Sequence, residues 1–111
     1  MNANAYAIGH LEEVRMGSDI VRYLQEIDAT LAPFRGRFLV HGDPLEMKEG
    51  ALAGAIIVIE FPDLDSARAW YASPAYREIL PLRTANARGT VFLVNGVPAD
   101  HRATDVLAAR H

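Results

Sequence analysis

The sequence predicts an α+β fold: one four-stranded antiparallel sheet, helices packed on one of its faces, and a second copy of the chain on the other. Three observations predict it. Four β-prone segments and two helical stripes alternate in the order β-α-β-β-α-β. The third strand segment, Gly54 through Phe61, is apolar on both sides. The chain, at 111 residues, is long enough for one core and too short for two. With 50% hydrophobic and 23% charged residues it has the balance of a packed globular protein, not of a disordered one.

Tyr6-Ala7-Ile8-Gly9-His10-Leu11 alternates in a β-prone way, which predicts a first strand with Tyr6, Ile8 and His10 on one face. Gly17-Ser18-Asp19 offers helix caps. Ile20, Leu24, Ile27 and Leu31 then recur at spacings of four, three and four, the stripe of a helix whose wet side carries Arg22, Gln25, Glu26 and Asp28. Pro33 disfavours helical geometry in the residue before it and Gly36 supplies a flexible break, so the helix is expected to end near Ala32. Arg37-Phe38-Leu39-Val40-His41 is the second strand, closed by the turn residues Gly42-Asp43-Pro44. The segment from Pro44 to Gly54 is a polar connection, too long for a tight hairpin, that extends the ribbon or forms a flap.

Gly54 through Phe61 is the most apolar stretch, β-branched and stopped by Pro62, and reads as a central strand. Period-two geometry places Ile56, Val58 and Glu60 on one face and Ile57, Ile59 and Phe61 on the other. Asp63 caps a helix with Ala67, Trp70 and Tyr71 on one stripe, and Ser73-Pro74 starts the next turn, with Pro at a position where its missing N–H costs nothing. Tyr76, Ile79, Leu80 and Arg83 follow at turn spacing, and Pro81 is expected to kink or break the helix near Arg77 to Leu80. Thr90 through Gly96 is the fourth strand. Residues 1–96 therefore form the domain, and the Ala-rich tail, 97–111, has room for one short helix.

This order is the ferredoxin-like pattern, whose strands lie in space as fourth, first, third, second, with the helices on one face. The bare face would exceed the few hundred Å² of apolar patch that monomers tolerate, and two such faces meeting about a two-fold axis remove the problem. At roughly 25 cal/mol per Å², several hundred Å² is worth on the order of 10 kcal/mol before association costs. A homodimer is expected.

The formal charge of −3 and the scatter of the 11 Lys and Arg give no electropositive field, so nucleic acid is not an expected partner. Cysteine is absent, which removes disulfides, thiolate nucleophiles and thiolate-held metals and suits a reducing cytoplasm. The N-terminus lacks a basic and an apolar region of a signal peptide, and Ala55-Ile56-Ile57-Val58-Ile59 is far short of a membrane span. A cytoplasmic protein with no membrane association is expected. No phosphate-loop glycine pattern occurs, and Ser18 and Ser73 have capping contexts, not those of nucleophiles.

Ile59-Glu60-Phe61-Pro62, Ala69-Trp70-Tyr71, Ser73-Pro74-x-Tyr76 and Leu82-Arg83 resemble the family known as domain of unknown function 1330. Thr30-Leu31-Ala32-Pro33-Phe34-Arg35-Gly36-Arg37-Phe38-Leu39-Val40 and Glu49-Gly50 look like the rest of its pattern, so the resemblance spans about residues 5 to 96. It implies a dimeric α/β barrel, in which ferredoxin-like subunits pair sheet to sheet and a pocket lies between each sheet and its own helices. Relatives in that superfamily include cofactor-free monooxygenases, lactone isomerases, haem-dependent enzymes and plain ligand binders. The tail after Gly96 departs from the pattern.

The antiparallel order brings His10 and His41 toward one rim of the sheet and Tyr6, Arg37, Glu60 and Asn95 toward the other. The histidines are candidates for acid–base work, because an imidazole titrates near neutrality; the competing reading is two strand-end histidines meeting water or backbone. No third ligand at a recognisable spacing accompanies them, so no metal site is expected. Glu60 closes an apolar run where an unpaired carboxylate is expensive. It is either a general base or an anchor for a polar substrate group, or it is structural, in an ion pair with Arg37 or Arg83 or bonded to N–H groups near Asp63. Trp70, Tyr71 and Tyr76 either line a pocket with their polar tips or are core, and Arg83 and Arg35 either hold a carboxylate or are solvated. The expected assignment is catalysis by Glu60 and His10, substrate binding by Arg37, His41, Trp70, Tyr76 and Arg83, and no cofactor. The expected protein is a homodimer that binds a small organic molecule, with cofactor-independent isomerase or monooxygenase-like chemistry open to it. A non-catalytic dimerisation or regulatory module is the alternative, and a haem-binding protein the third.

Overall fold

The computed structural model describes residues 3–108, so the last three residues of the tail lie outside the described residues. Its elements follow the expected order: β1 Ala5–Val14, α1 Ser18–Leu31, β2 Arg37–His41, β3 Ala55–Phe61, α2 Leu64–Ala72, α3 Pro74–Thr84, β4 Ala87–Asn95 and α4 Asp105–Ala108. The strands form one sheet in the order β2-β3-β1-β4, all neighbours antiparallel, which is the ferredoxin-like arrangement. Among the described residues no helix is long and apolar enough to cross a membrane.

Register decides which side chains share a face, because residues directly opposite in a ladder point the same way. Ala7 pairs with Ile59 and Leu93, Gly9 with Ile57 and Val91, and Ile59 and Ile57 in turn with Phe38 and His41; these face the helices. Tyr6, Ile8 and His10 pair with Glu60, Val58 and Ile56 on β3 and with Val94, Phe92 and Thr90 on β4; these form the opposite, open face. The core lies on the helix side alone, where Tyr23, Ile27, Leu31, Phe61, Trp70 and Tyr76 are buried together.

Several local expectations are refined. α1 buries Ile20, Tyr23, Ile27, Thr30 and Leu31, whereas Leu24 of the expected stripe is exposed: the apolar seam runs one residue to the side and takes in Tyr23. No side chain caps α1, whose first residue is Ser18 itself. The helix ends through a 3₁₀ turn at Ala32–Phe34, and the left-handed residue is Arg35 (φ 60°), not Gly36. Gly36 is needed for another reason, since a Cβ there would stand 2.7 Å from Phe61 Cε1 and 2.8 Å from Leu31 Cδ2.

Asp63 caps α2 by accepting from the Ser66 N–H at 2.7 Å, and that bond holds its carboxyl below the usual carboxylate range. Ser73 caps α3 and also donates to the Trp70 carbonyl, tying the two helices together. Pro81 does not break α3, which runs on to Thr84. Proline removes one N–H, so the loss is confined to the Arg77 carbonyl near the helix end. β1 and β4 run further than expected, to Val14 and from Ala87, through a register shift between Leu11 and Glu13. Residues 42–54 hold no helix or strand.

Candidate functional site

A cavity of about 240 Å³ lies between the sheet and the helices. Its walls are mostly apolar. Ala7, Gly9, Leu11, Ile57, Ile59, Phe38 and Val91 come from the sheet, and Ile20, Ile27, Leu24 and Trp70 from the helices. The sheet residues reach it because they belong to the helix-facing set, and Gly9 leaves room where a side chain would stand 3.7 Å from Val91. The exposed residues Val14, Met16, Leu24 and His41 mark the open side.

Four polar side chains line it: Tyr23, Tyr76, Arg83 and His41. The Tyr23 and Tyr76 hydroxyls are 2.7 Å apart in a buried hydrogen bond. Burial, reinforced by Tyr76, pushes the Tyr23 phenol well above its ordinary value, so it stays neutral. Arg83 faces the Tyr23 ring, its guanidinium carbon 5.9 Å from the centroid. Burial works against the Arg83 charge, but the facing Tyr76 and Tyr23 hydroxyls outweigh it and the guanidinium remains a cation. His41 stacks on Phe38 at 4.3 Å between centroids, at the exposed end of β2.

The expected site residues divide between the two faces of the sheet. His41, Trp70, Tyr76 and Arg83 line the cavity. Glu60, His10 and Arg37 do not; they sit on the open face, His10 and Glu60 alternating with the helix-facing positions of their strands and Arg37 lying opposite Glu60 in the ladder, before the bulge between Phe38 and Val40. The two histidines share a rim, as expected, but on opposite sides of the sheet. Glu60 is engaged on both oxygens, accepting from Arg37 Nε and from Asn4 Nδ2, each at 2.9 Å. This is the ion pair with Arg37 that the apolar run demanded. His10 Nε2 lies 2.6 Å from the Ala53 carbonyl oxygen, which can only accept, so that nitrogen carries the proton and ties β1 to the loop before β3.

Trp70 is both core and wall. It is buried, its indole N–H donates to Thr30 Oγ1 at 3.0 Å, and its ring centroid lies 4.1 Å from that of Tyr76, the two planes tilted by 38°. Tyr23 is the cavity residue that the sequence reading passed over. The signal was present: Tyr23 stands three residues after Ile20 and four before Ile27, on the buried stripe. Among the described residues no group of three His, Cys, Asp or Glu is placed to hold a metal ion.

Residues 4–97 match the model of a family described as "Domain of unknown function (DUF1330)". No curated protein matches the chain. Among solved structures it is similar to a protein of unknown function from Rhodopseudomonas palustris, at a TM-score of 0.66 and 13% identity over 88% of this chain and 85% of that one. A dimeric ferredoxin-like protein of unknown function from Jannaschia sp. CCS1 has a TM-score of 0.63 and 14% identity, covering 86% of this chain and 99% of that one. SnoaB, a cofactor-independent oxygenase from Streptomyces nogalater, has a TM-score of 0.60 and 13% identity, covering 90% and 99%. At such identities the likeness is one of fold.

Proposed function

The chain belongs to the Domain of unknown function (DUF1330) family, and on that premise we propose that it is a homodimer whose subunits each hold a small organic molecule between sheet and helices. One observation carries the reading: a cavity of about 240 Å³ whose walls are mostly apolar and three of whose polar groups, Tyr23, Tyr76 and Arg83, form one cluster. That space equals roughly the liquid volume of eight water molecules, and apolar walls hold water poorly, so a one- or two-ring organic molecule is the better occupant. The dimeric state of the Jannaschia neighbour supports the pairing of subunits.

Trp70 is the sole tryptophan and a wall of the cavity, so its emission reports occupancy. Titration with cyclohexanecarboxamide, a neutral and optically transparent probe, is expected to change that emission saturably. Val91→Phe, which fills the cavity from the sheet side, is expected to abolish the response. An unsaturable change, or one that survives Val91→Phe, would sink the proposal.

Catalysis is the second reading, favoured by the neighbour that is a cofactor-independent oxygenase. Of the cavity's walls, His41, Tyr23 and Tyr76 are the groups able to hand over or take a proton, so acid–base chemistry in this space runs through them. Glu60 and His10 take part only in chemistry on the open face.

A further inference from the structure

We infer that the cavity recognises a small organic acid, whose carboxylate is bound by Arg83 together with the one hydroxyl proton that Tyr23 and Tyr76 leave unspent, while its ring or chain fills the apolar remainder. The inference deepens the cavity reading above and rests on it.

Arg83 stands apart from the other arginines. Among the described residues it is the one arginine that is not exposed. Arg22, Arg37, Arg68 and Arg88 each pair with a carboxylate of the chain, whereas no carboxylate among the described residues lies within 4.0 Å of Arg83. Withdrawing a guanidinium from water is expensive, and its usual compensation is an opposite charge. Here its neighbours are two phenol hydroxyls, whose oxygens outweigh the cost of burial yet bring no opposite charge.

Donor counting points the same way. Two hydroxyls carry two protons, and their mutual bond at 2.7 Å uses one, so one O–H is left over beside the guanidinium's N–H groups. The Tyr23 phenol does not ionise there, because burial holds its proton on. The cluster therefore offers donors and a positive charge, and its complement is a group that only accepts and is negative, which is a carboxylate. Ile27, Phe38, Ile57, Trp70 and Val91 leave an apolar space beside it for the body of the acid.

Trp70 fluorescence with cyclohexanecarboxylate and its neutral amide separates the two layers of this reading. The acid is expected to bind at least about tenfold more tightly than the amide. Arg83→Gln should bring the acid down to the affinity of the amide and leave the amide unchanged, and Arg83→Lys should keep part of the preference. Circular dichroism establishes that each variant folds, and should Arg83→Gln fail to fold, the double variant Tyr23→Phe with Tyr76→Phe, which removes both hydroxyl protons, replaces it, with a smaller loss for the acid alone. Equal affinities in the natural protein would overturn the acid while leaving the cavity reading intact, as would a preference that survives Arg83→Gln. Failure of both compounds to bind would overturn both readings.

Discussion

Thr30 shows how one side chain sets the position of a wall of the cavity. Its hydroxyl donates to the Ile27 carbonyl at 2.7 Å and accepts from the Trp70 indole N–H at 3.0 Å, with all three groups buried. Thr30→Val keeps the shape and removes both bonds, leaving the indole N–H without a partner in an apolar surrounding. The expected loss is about 1–3 kcal/mol, the penalty of an unsatisfied buried donor, read as a lower urea midpoint with an unchanged slope. A loss below about 0.5 kcal/mol would mean that water or a rotated ring satisfies the indole. Arg83 and Glu60 make a related contrast. Glu60 is covered on both oxygens by Arg37 and Asn4, whereas Arg83, half-buried beside Tyr23 and Tyr76, has no carboxylate within 4.0 Å among the described residues, which is the contrast the proposed acid rests on.

α3 carries Tyr76 and Arg83 to the cavity across an internal proline. The Arg77 carbonyl has lost its N–H partner, while the Ala85 N–H still bonds to the Pro81 carbonyl at 3.0 Å, which keeps the last turn closed. Pro81→Ala restores the missing donor, and because Arg77 is exposed and its carbonyl can bond water, the gain expected in chemical denaturation is only about 1 kcal/mol. A net loss would show that the proline's restriction of the unfolded chain outweighs the restored hydrogen bond. The elements themselves were legible because each announces its own chemistry: the β-branched run of β3, Asp63 and Ser73 at the caps, Pro33 after α1. What was not legible is long-range. The extension of β1 to Val14 depends on a partner strand and a register shift, and Leu24 yields its place to Tyr23 because neighbouring helices choose the buried side. The site was legible by residue type more than by place. Trp70, Tyr76, Arg83 and His41 reach the cavity, but Glu60 and His10 were grouped with them by rim, and the rim does not specify the face. Period two separates Glu60 from Ile57, but it does not tell which of the two faces meets the helices.

At the scale of the whole molecule the question is what covers the open face. Ile8, Ile56, Val58, Phe92 and Val94 lie on it in register, and Phe92 and Val94 are exposed in the single chain. α1, α2 and α3 are committed to the opposite side, so the core helices leave these residues uncovered. A second copy can, because its identical face offers apolar area at the centre and the Glu60–Arg37 pair toward one rim, an arrangement that matches itself under a two-fold rotation. Val58 is the residue to test, being on β3 between Ile8 and Val40, within the apolar part of the face. Sedimentation of the natural protein at micromolar concentration is expected to give about 24 kDa, twice the 12.2 kDa chain mass, with a thermal midpoint that rises with concentration. Val58→Glu places a charge in each copy's apolar face with no partner, and the dissociation constant should rise by about a thousandfold or more. Val58→Thr adds a hydroxyl without a charge and should leave a weaker dimer. The cavity is on the other side of the sheet, so a monomeric Val58→Glu chain should still bind cyclohexanecarboxamide. A natural protein that sediments as a folded single chain would refute the pairing, and with it the idea that the open face is apolar in order to be covered.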